Sequence, residues 1–192
     1  MRLGPPQCAR CGAPTAWPVE RCRECAGRRL AFVSARAAVA YCGPARAFVH
    51  AWKERGLRRG ALLASELVAE RLERPPVDAI TYVPADGERG LRRGYHPPEG
   101  LAVALGGLWG LDVVPLLVRR RSCARQAGLG LVERRRNVRD AFRANRLAQR
   151  PATVVLVDDV YTTGATCDAA AGALRRAGID GVYVITFART VR

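Results

Sequence analysis

Residues 154–166 read VVLVDDVYTTGAT, and the fold class follows from this segment. It belongs to an almost unbroken apolar run at 153–159, which is typical of a β-strand covered on both faces. The small, hydroxyl-rich turn at 162–166 leads into a helical pattern that ends near Gly178. The stretch therefore predicts a buried strand, a tight turn and a helix, in the order from which α/β folds are built.

The segments on either side alternate in the same way. Helical patterns follow Pro44 and occupy residues 60–73 and 97–109, whereas strand patterns occur at 32–41, 78–84, 112–118 and 182–188. This alternation predicts an α/β fold with a mainly parallel sheet flanked by helices.

Two adjacent carboxylates, Asp158 and Asp159, follow the apolar run, and the carboxyl ends of parallel strands are where open α/β sheets bind ligands. Backbone N–H groups in the 162–166 turn would face outward at the positive end of the next helix, forming an anion cradle. Gly164 lets the backbone approach a phosphate closely. The carboxylates can accept hydrogen bonds from vicinal hydroxyls, and the neighbouring cradle can bind a phosphate. The ligand that has both groups is a ribose 5-phosphate.

This stretch closely resembles the binding motif of the type I phosphoribosyltransferases, in which two acidic residues precede a TTGxT loop. The resemblance implies the type I phosphoribosyltransferase fold and phosphoribosyl pyrophosphate as substrate. It implies that Asp158 and Asp159 are catalytic residues that bind the ribose hydroxyls. The residues implied for the 5-phosphate are Thr162, Thr163, Gly164, Ala165 and Thr166. Mg²⁺ would come with the substrate, coordinated more by pyrophosphate and ribose oxygens than by protein.

Two further segments lie where such enzymes carry functional loops. Ala85 and Asp86 fall at the position of a pyrophosphate-binding loop, and Arg93 is expected to pair with pyrophosphate, with a solvated arginine as the alternative. Residues 119–140 lie where a mobile flap closes over the site, with a disordered basic loop as the alternative. The flap residues expected to meet substrate or nucleic acid are Arg125, Gln126, Arg136 and Asn137.

Four of the seven cysteines form two CxxC pairs, Cys8 with Cys11 and Cys22 with Cys25. Two such pairs let four thiolates converge on one tetrahedral ion, so a structural zinc site without an open position is expected. Two disulfides, which a reducing cytosol disfavours, and an iron site are the alternatives. Outside the pairs, Cys42 and Cys167 are expected to be small buried residues.

The chain has 192 residues and a formal net charge of +15, and only one of its 32 basic residues, Lys53, is lysine. This arginine bias is typical of a GC-rich genome. So basic a surface attracts polyanions, whether phosphorylated substrates or nucleic acid. No run of 18 apolar residues and no signal-peptide pattern occur, which predicts a cytoplasmic protein without membrane insertion.

A narrower resemblance covers nearly the whole chain. Besides the paired cysteines and TTGAT, the matching segments in order are YCGP at 41–44, the helix ending at Lys53 and Gly56, Val83 with Pro84, RGY at 93–95, Gln126 with Leu129, RNV at 136–138, AF at 141–142 and the closing FAR. Together they resemble the ComF family, which is linked to bacterial competence and DNA uptake and includes the GntX-like proteins. The resemblance implies a four-cysteine zinc-binding module at 1–30 and a phosphoribosyltransferase-like domain at 31–192.

The resemblance implies a phosphoribosyltransferase, a glycosyltransferase that moves a pentosyl group, acting in natural transformation. Its implied partners are single-stranded DNA, a competence helicase and other DNA-uptake proteins. The alternative is a non-catalytic accessory that binds single-stranded DNA or partner proteins and uses the fold as a scaffold or nucleotide sensor. One departure bears on this choice, because members commonly read RGFNQ where this chain has RGYHP, placing His96 and Pro97 where the family has amides. The phosphoribosyl acceptor stays open.

Overall fold

The computed structural model describes residues 3–85, 94–119, 141–145 and 150–191. Ten helices and strands are named within these residues. In chain order they are β1 (Ser34–Ala40), α1 (Gly43–Glu54), α2 (Gly60–Arg71), β2 (Ala79–Tyr82), α3 (Pro97–Trp109), β3 (Leu117–Arg119), β4 (Phe142–Ala144), β5 (Thr153–Tyr161), α4 (Ala165–Arg176) and β6 (Gly181–Arg189).

The main sheet has four parallel strands in the order β1-β6-β5-β2. β5 lies inside the sheet, with Val157 paired to Tyr82 of β2 and to Ile185 of β6. Because β2 and β6 flank β5 and both faces of the sheet are covered, residues 154–159 of β5 are all buried, as the apolar run predicts. The predicted α/β class with a mainly parallel sheet is confirmed.

Helices cover both faces of the sheet. Val155 and Val157 of β5 pack into a core with α1, α2 and α3, whereas Val154 and Leu156 pack on the opposite face against α4 and the cysteine-bearing N-terminal segment. Alternate residues of one strand thus supply two separate cores, since successive side chains of a strand point to opposite faces. None of the helices within the described residues is long and apolar enough to cross a membrane.

The prediction of one strand over 112–118 is wrong. Val113 forms a single parallel bridge to Ile80, and the N–H of Val114 donates to the carbonyl of Ile80 at 2.8 Å. Pro115 follows and has no N–H to continue the ladder. The chain then leaves the main sheet, and β3 pairs antiparallel with β4 in a separate two-stranded sheet.

The N-terminal segment is joined to the sheet by arginines and backbone groups. Arg189, at the end of β6, is 1% exposed and donates to the Cys11 carbonyl at 2.5 Å and to the Glu24 carboxylate at 3.0 Å. Its guanidinium also lies 5.1 Å from the ring centroid of Tyr161. At the sheet edge, the N–H of Ala35 donates to the carbonyl of Arg10 at 2.9 Å. The boundary near residue 30 stays a prediction, although these contacts show that the segment packs directly on the parallel sheet.

Candidate functional site

A cleft of about 400 Å³ opens at the carboxyl edge of the parallel sheet. Its walls come from the ends of β1, β2, β3 and β5 and from the adjoining ends of α1, α3 and α4. The lining residues are Tyr41, Lys53, Val83, Pro84, Ala85, Tyr95, His96, Pro97, Pro98, Arg119, Asp158, Asp159, Val160, Thr162 and Thr166. The cleft therefore contains both predicted carboxylates, two threonines of the predicted phosphate loop and Ala85 of the predicted pyrophosphate loop.

Asp158 and Asp159 lie near the end of β5 and are both buried. Asp158 Oδ1 accepts the backbone N–H of Asp159 at 2.9 Å, and Asp158 Oδ2 accepts the Cys167 thiol at 3.7 Å. Burial first, and then the neighbouring Asp159 charge, raise the pKa of Asp158 to about 7, although the Asp159 N–H and Lys53 act in the other direction. The site thus holds a carboxyl group that changes charge near neutral pH.

Lys53 is a site residue whose role the sequence did not give. It lies in the last turn of α1, and its Nζ is 2.7 Å from Asp159 Oδ1. The Asp159 side chain is 11% exposed and that of Lys53 is 30% exposed, so the ammonium is the more solvent-accessible partner of the ion pair. The available signal was composition, because this is the sole lysine of the chain.

The loop at 162–166 connects β5 to α4 and has the predicted form. Gly164 is the N-cap of α4 with φ +74°, and a Cβ at this position would collide with the hydroxyl of Tyr161. Only glycine suits this combination of left-handed backbone and close contact. Thr162, Thr163, Ala165 and Thr166 are exposed, so the first turn of the helix is open to an anion from the cleft.

Residues that follow the last paired cysteine donate hydrogen bonds to the loop at 162–166 and to the first turn of α4. Arg28 donates to the Thr163 carbonyl at 3.0 Å, and the N–H of Ala31 donates to the Asp168 carboxylate at 2.7 Å. Asp168 lies in the first turn of α4. The position of the predicted phosphate loop thus depends on the segment just after the last paired cysteine.

Cys8, Cys11, Cys22 and Cys25 form one cluster in which all four Sγ atoms lie within 4.8 Å of one another. The four thiols are free and not joined in disulfides, and all but Cys22 are buried. Burial disfavours the Cys8 thiolate, but backbone N–H groups of Cys11, Cys22 and Arg10 outweigh this effect and lower the pKa of Cys8 to about 7. Four converging sulfur atoms with backbone donors to a thiolate fit a metal ion such as zinc.

The sequence is similar to proteins named for DNA utilization and for competence. The DNA utilization protein YhgH of Salmonella typhimurium is 32% identical over 197 residues, which cover 96% of this chain and 84% of that protein. Competence protein F of Haemophilus influenzae is 29% identical over 198 residues, with 96% and 85% covered. No protein-family model matches the chain. The identity over nearly the full length decides the family.

The chain belongs to the ComF family. The parallel sheet flanked by helices, with two carboxylates near the end of β5, agrees with the type I phosphoribosyltransferase fold that the sequence motif predicts. Among solved structures, the glutamine phosphoribosylpyrophosphate amidotransferase of B. subtilis, complexed with ADP and GMP, matches 67% of this chain and 25% of its own, with a TM-score of 0.44 and 24% identity. That likeness is too distant to carry an argument about ligands.

The departure from the ComF pattern at His96 lies inside the cleft. His96 is the N-cap of α3, and its Nε2 is 2.7 Å from the carbonyl oxygen of Val83 at the end of β2. Burial lowers the pKa of His96, although the Val83 carbonyl acts in the other direction. Its ring stacks edge-on with Tyr82 at 5.9 Å between centroids. The imidazole therefore ties the start of α3 to β2, while Pro97 begins the helix as predicted.

Several predicted residues of this ComF protein lie outside the described residues: Asp86, Arg93, Arg125, Gln126, Arg136 and Asn137. Arg119, the first residue of the predicted flap, is among the described residues and lines the cleft. Its guanidinium lies 5.3 Å from the ring centroid of Phe142. Of the three cysteines outside the pairs, Cys123 lies outside the described residues. Cys167 is buried as expected, but Cys42 is exposed, so that prediction is wrong. Cys42 is the N-cap of α1 and lies just after the end of β1.

We expect Asp158→Asn to stabilise the ComF fold, and more so at pH 8 than at pH 5. The native pKa of about 7 exceeds the ordinary 3.8, so the native state binds the proton more tightly than the unfolded chain. The stability contributed by this proton is complete below pH 3.8 and is lost as the pH rises through about 7. Asparagine keeps the Oδ1 acceptor without a charge. In urea unfolding, the free energy of unfolding that Asp158→Asn gains over the wild type should be larger at pH 8 than at pH 5 by on the order of 2 kcal/mol.

Asp180→Asn is the matched control, because Asp180 is exposed just before β6, at the opposite edge of the sheet. It should show no gain that grows with pH. Equal destabilisation by Asp158→Asn at both pH values would contradict a costly buried charge at Asp158.

Proposed function

We propose that this protein is a phosphoribosyltransferase-type protein of DNA uptake that binds phosphoribosyl pyrophosphate with Mg²⁺. The observation that carries the proposal is the joint placement of Asp158, Asp159 and two threonines of the predicted phosphate loop, Thr162 and Thr166, in one cleft. β5 thereby supplies acceptors for sugar hydroxyls, and the loop that connects it to α4 supplies donors for a phosphate. The names of its relatives, DNA utilization protein and competence protein F, support the role in DNA uptake.

Each part of the ligand has a matching group. The vicinal ribose hydroxyls donate to the carboxylates of Asp158 and Asp159, and the 5-phosphate accepts N–H donors from the loop at 162–166. The pyrophosphate lies toward Ala85, the described residue of the predicted pyrophosphate-binding loop. Mg²⁺ bound with the substrate would neutralise charge on the pyrophosphate, and substrate oxygens would supply most of its ligands.

The proposed reaction breaks the bond between ribose C1 and the pyrophosphate oxygen, and the electron pair leaves with pyrophosphate. An attacking nucleophile forms the new bond to C1. Positive charge develops on the ribose ring, and the buried carboxylates stabilise it, since charge–charge interactions are strong where water is excluded. Asp158 and Asp159 are accordingly the proposed catalytic residues.

A second candidate function is non-catalytic binding of single-stranded DNA or of DNA-uptake proteins, a competence helicase among them. The formal net charge of +15 favours it, as do the names of the relatives. Here the fold serves as a scaffold or as a sensor of nucleotide level. One protein can combine both functions, so a test must measure the two ligands separately.

The four-cysteine cluster is proposed to hold structural zinc. Metal analysis should find one zinc per chain, and Cys25→Ser should lose it, whereas Cys42→Ser, which removes an exposed cysteine outside the cluster, should keep it. Chelation should lower the melting temperature by about 10 °C or more, because such metal binding is folding free energy. A fully folded protein without metal, or one purified with iron, would contradict the assignment.

Calorimetric titration tests the proposed function directly. Phosphoribosyl pyrophosphate with Mg²⁺ should bind the wild type with a micromolar Kd, and Asp158→Asn/Asp159→Asn should weaken binding at least about 100-fold, because two acceptors for the ribose hydroxyls lose their charge. Asp180→Asn should bind like the wild type. Circular dichroism would verify that all three proteins are folded.

A single-stranded oligonucleotide is titrated into the same proteins over a range of salt. Failure of the zinc-loaded wild type to bind phosphoribosyl pyrophosphate would refute the first function. Oligonucleotide binding that falls steeply with salt, by about 0.7 in log K per phosphate contacted and log unit of salt, would then leave the second candidate.

A further inference from the structure

Lysine is used once in this chain, at position 53, while every other basic residue is arginine. At an exposed site either cation serves, and the chain uses arginine. Lysine differs in being a compact point charge on a flexible stem, whereas arginine is a planar fork that prefers bidentate contacts. An ammonium kept inside the cleft, against the bias of the whole composition, indicates that position 53 requires a small and movable cation.

The contact that Lys53 makes lies on the carboxylate proposed to bind ribose. Its Nζ is 2.7 Å from Asp159 Oδ1, so the ammonium occupies one of the two oxygens that Asp159 can offer to a hydroxyl. Asp158 is also engaged, by the Asp159 N–H and the Cys167 thiol. Three of the four carboxylate oxygens of the proposed ribose site therefore already hold protein donors.

A sugar hydroxyl alone is a poor replacement for this ammonium. Displacing Lys53 from a carboxylate that is 11% exposed leaves two separated charges, and a neutral hydroxyl compensates only one of them. A ligand that brings an anion for Lys53 together with hydroxyls for Asp159 compensates both. A pyrophosphate beside residues 83–85, which directly follow β2, would lie in the same cleft as Lys53.

We propose that Lys53 is a specificity-determining residue. Its ammonium pairs with the Asp159 carboxylate before the ligand binds and moves to the pyrophosphate when the ligand binds. This inference rests on the proposed function and deepens it. It makes ribose binding conditional on pyrophosphate, so the site selects phosphoribosyl pyrophosphate over ribose 5-phosphate. A purely structural ion pair between α1 and β5 would give no such selection.

The test measures the two halves of the ligand separately at pH 8. Phosphoribosyl pyrophosphate, ribose 5-phosphate and pyrophosphate, each with Mg²⁺, are titrated into the wild type, Lys53→Met, Lys53→Arg and Arg46→Met. Arg46→Met is the control, since it removes an exposed cation from the same helix. Lys53→Met should bind phosphoribosyl pyrophosphate and pyrophosphate at least tenfold more weakly and ribose 5-phosphate severalfold more tightly. Lys53→Arg should recover only part of the pyrophosphate affinity.

The outcomes separate the inference from the function on which it rests. Equal weakening of all three ligands by Lys53→Met, or no change in any, overturns the role of Lys53 and leaves the proposed function intact. Failure of the wild type to bind phosphoribosyl pyrophosphate overturns both.

A second measurement needs no variant. Reductive methylation with ¹³C-formaldehyde labels Lys53 as the sole lysine, apart from the N-terminal amine. Its NMR signal should shift on addition of phosphoribosyl pyrophosphate and stay unchanged with ribose 5-phosphate. A shift of equal size with both ligands would contradict the transfer of the ammonium to pyrophosphate.

Discussion

Two adjacent carboxylates, Asp158 and Asp159, are buried near the end of β5, and their burial determines which elements must meet at this edge of the sheet. Two like charges removed from water are costly unless donors and a counter-charge meet them. Here the Asp159 N–H and the Cys167 thiol contact Asp158, and Lys53 contacts Asp159. These donors come from β5 itself, from α4 and from α1, so three elements must converge on one edge of the sheet. The cleft is the consequence of that convergence.

The N-terminal cysteine segment contributes to the same edge from the other face of the sheet. Arg28 and Ala31 contact the Thr163 carbonyl and the Asp168 carboxylate, which fix the loop before α4 and the first turn of the helix. Arg189, nearly fully buried, joins the Cys11 carbonyl to the end of β6 beside Tyr161. A metal held by the four cysteines would thus stiffen the support of the proposed phosphate loop while remaining outside the cleft.

Local sequence patterns were enough to predict the features that depend on neighbouring residues. The apolar run of β5, the glycine at 164 and the two CxxC pairs each have a short-range physical cause, and the structure places all of them as expected. Lys53 could not be placed in this way, because its partner Asp159 lies in a strand far along the chain. The strand predicted over 112–118 ends at Pro115, whose missing N–H is a local signal. The pairing of β3 with β4 beyond it could not be predicted in this way, because β4 is distant along the chain. His96 was recognised as a departure, yet its contact with Val83 depends on how α3 meets β2.

Hydrogen exchange with mass spectrometry can show whether the end of β5 and the loop before α4 form the binding site, because it locates a bound ligand without a substitution. Phosphoribosyl pyrophosphate with Mg²⁺ should slow amide exchange in peptides covering residues 158–168, where the ribose and the 5-phosphate are proposed to lie. Ligand binding without any slowing there, or with slowing confined to peptides away from the cleft, would contradict the claim that the end of β5 and the loop before α4 form the binding site.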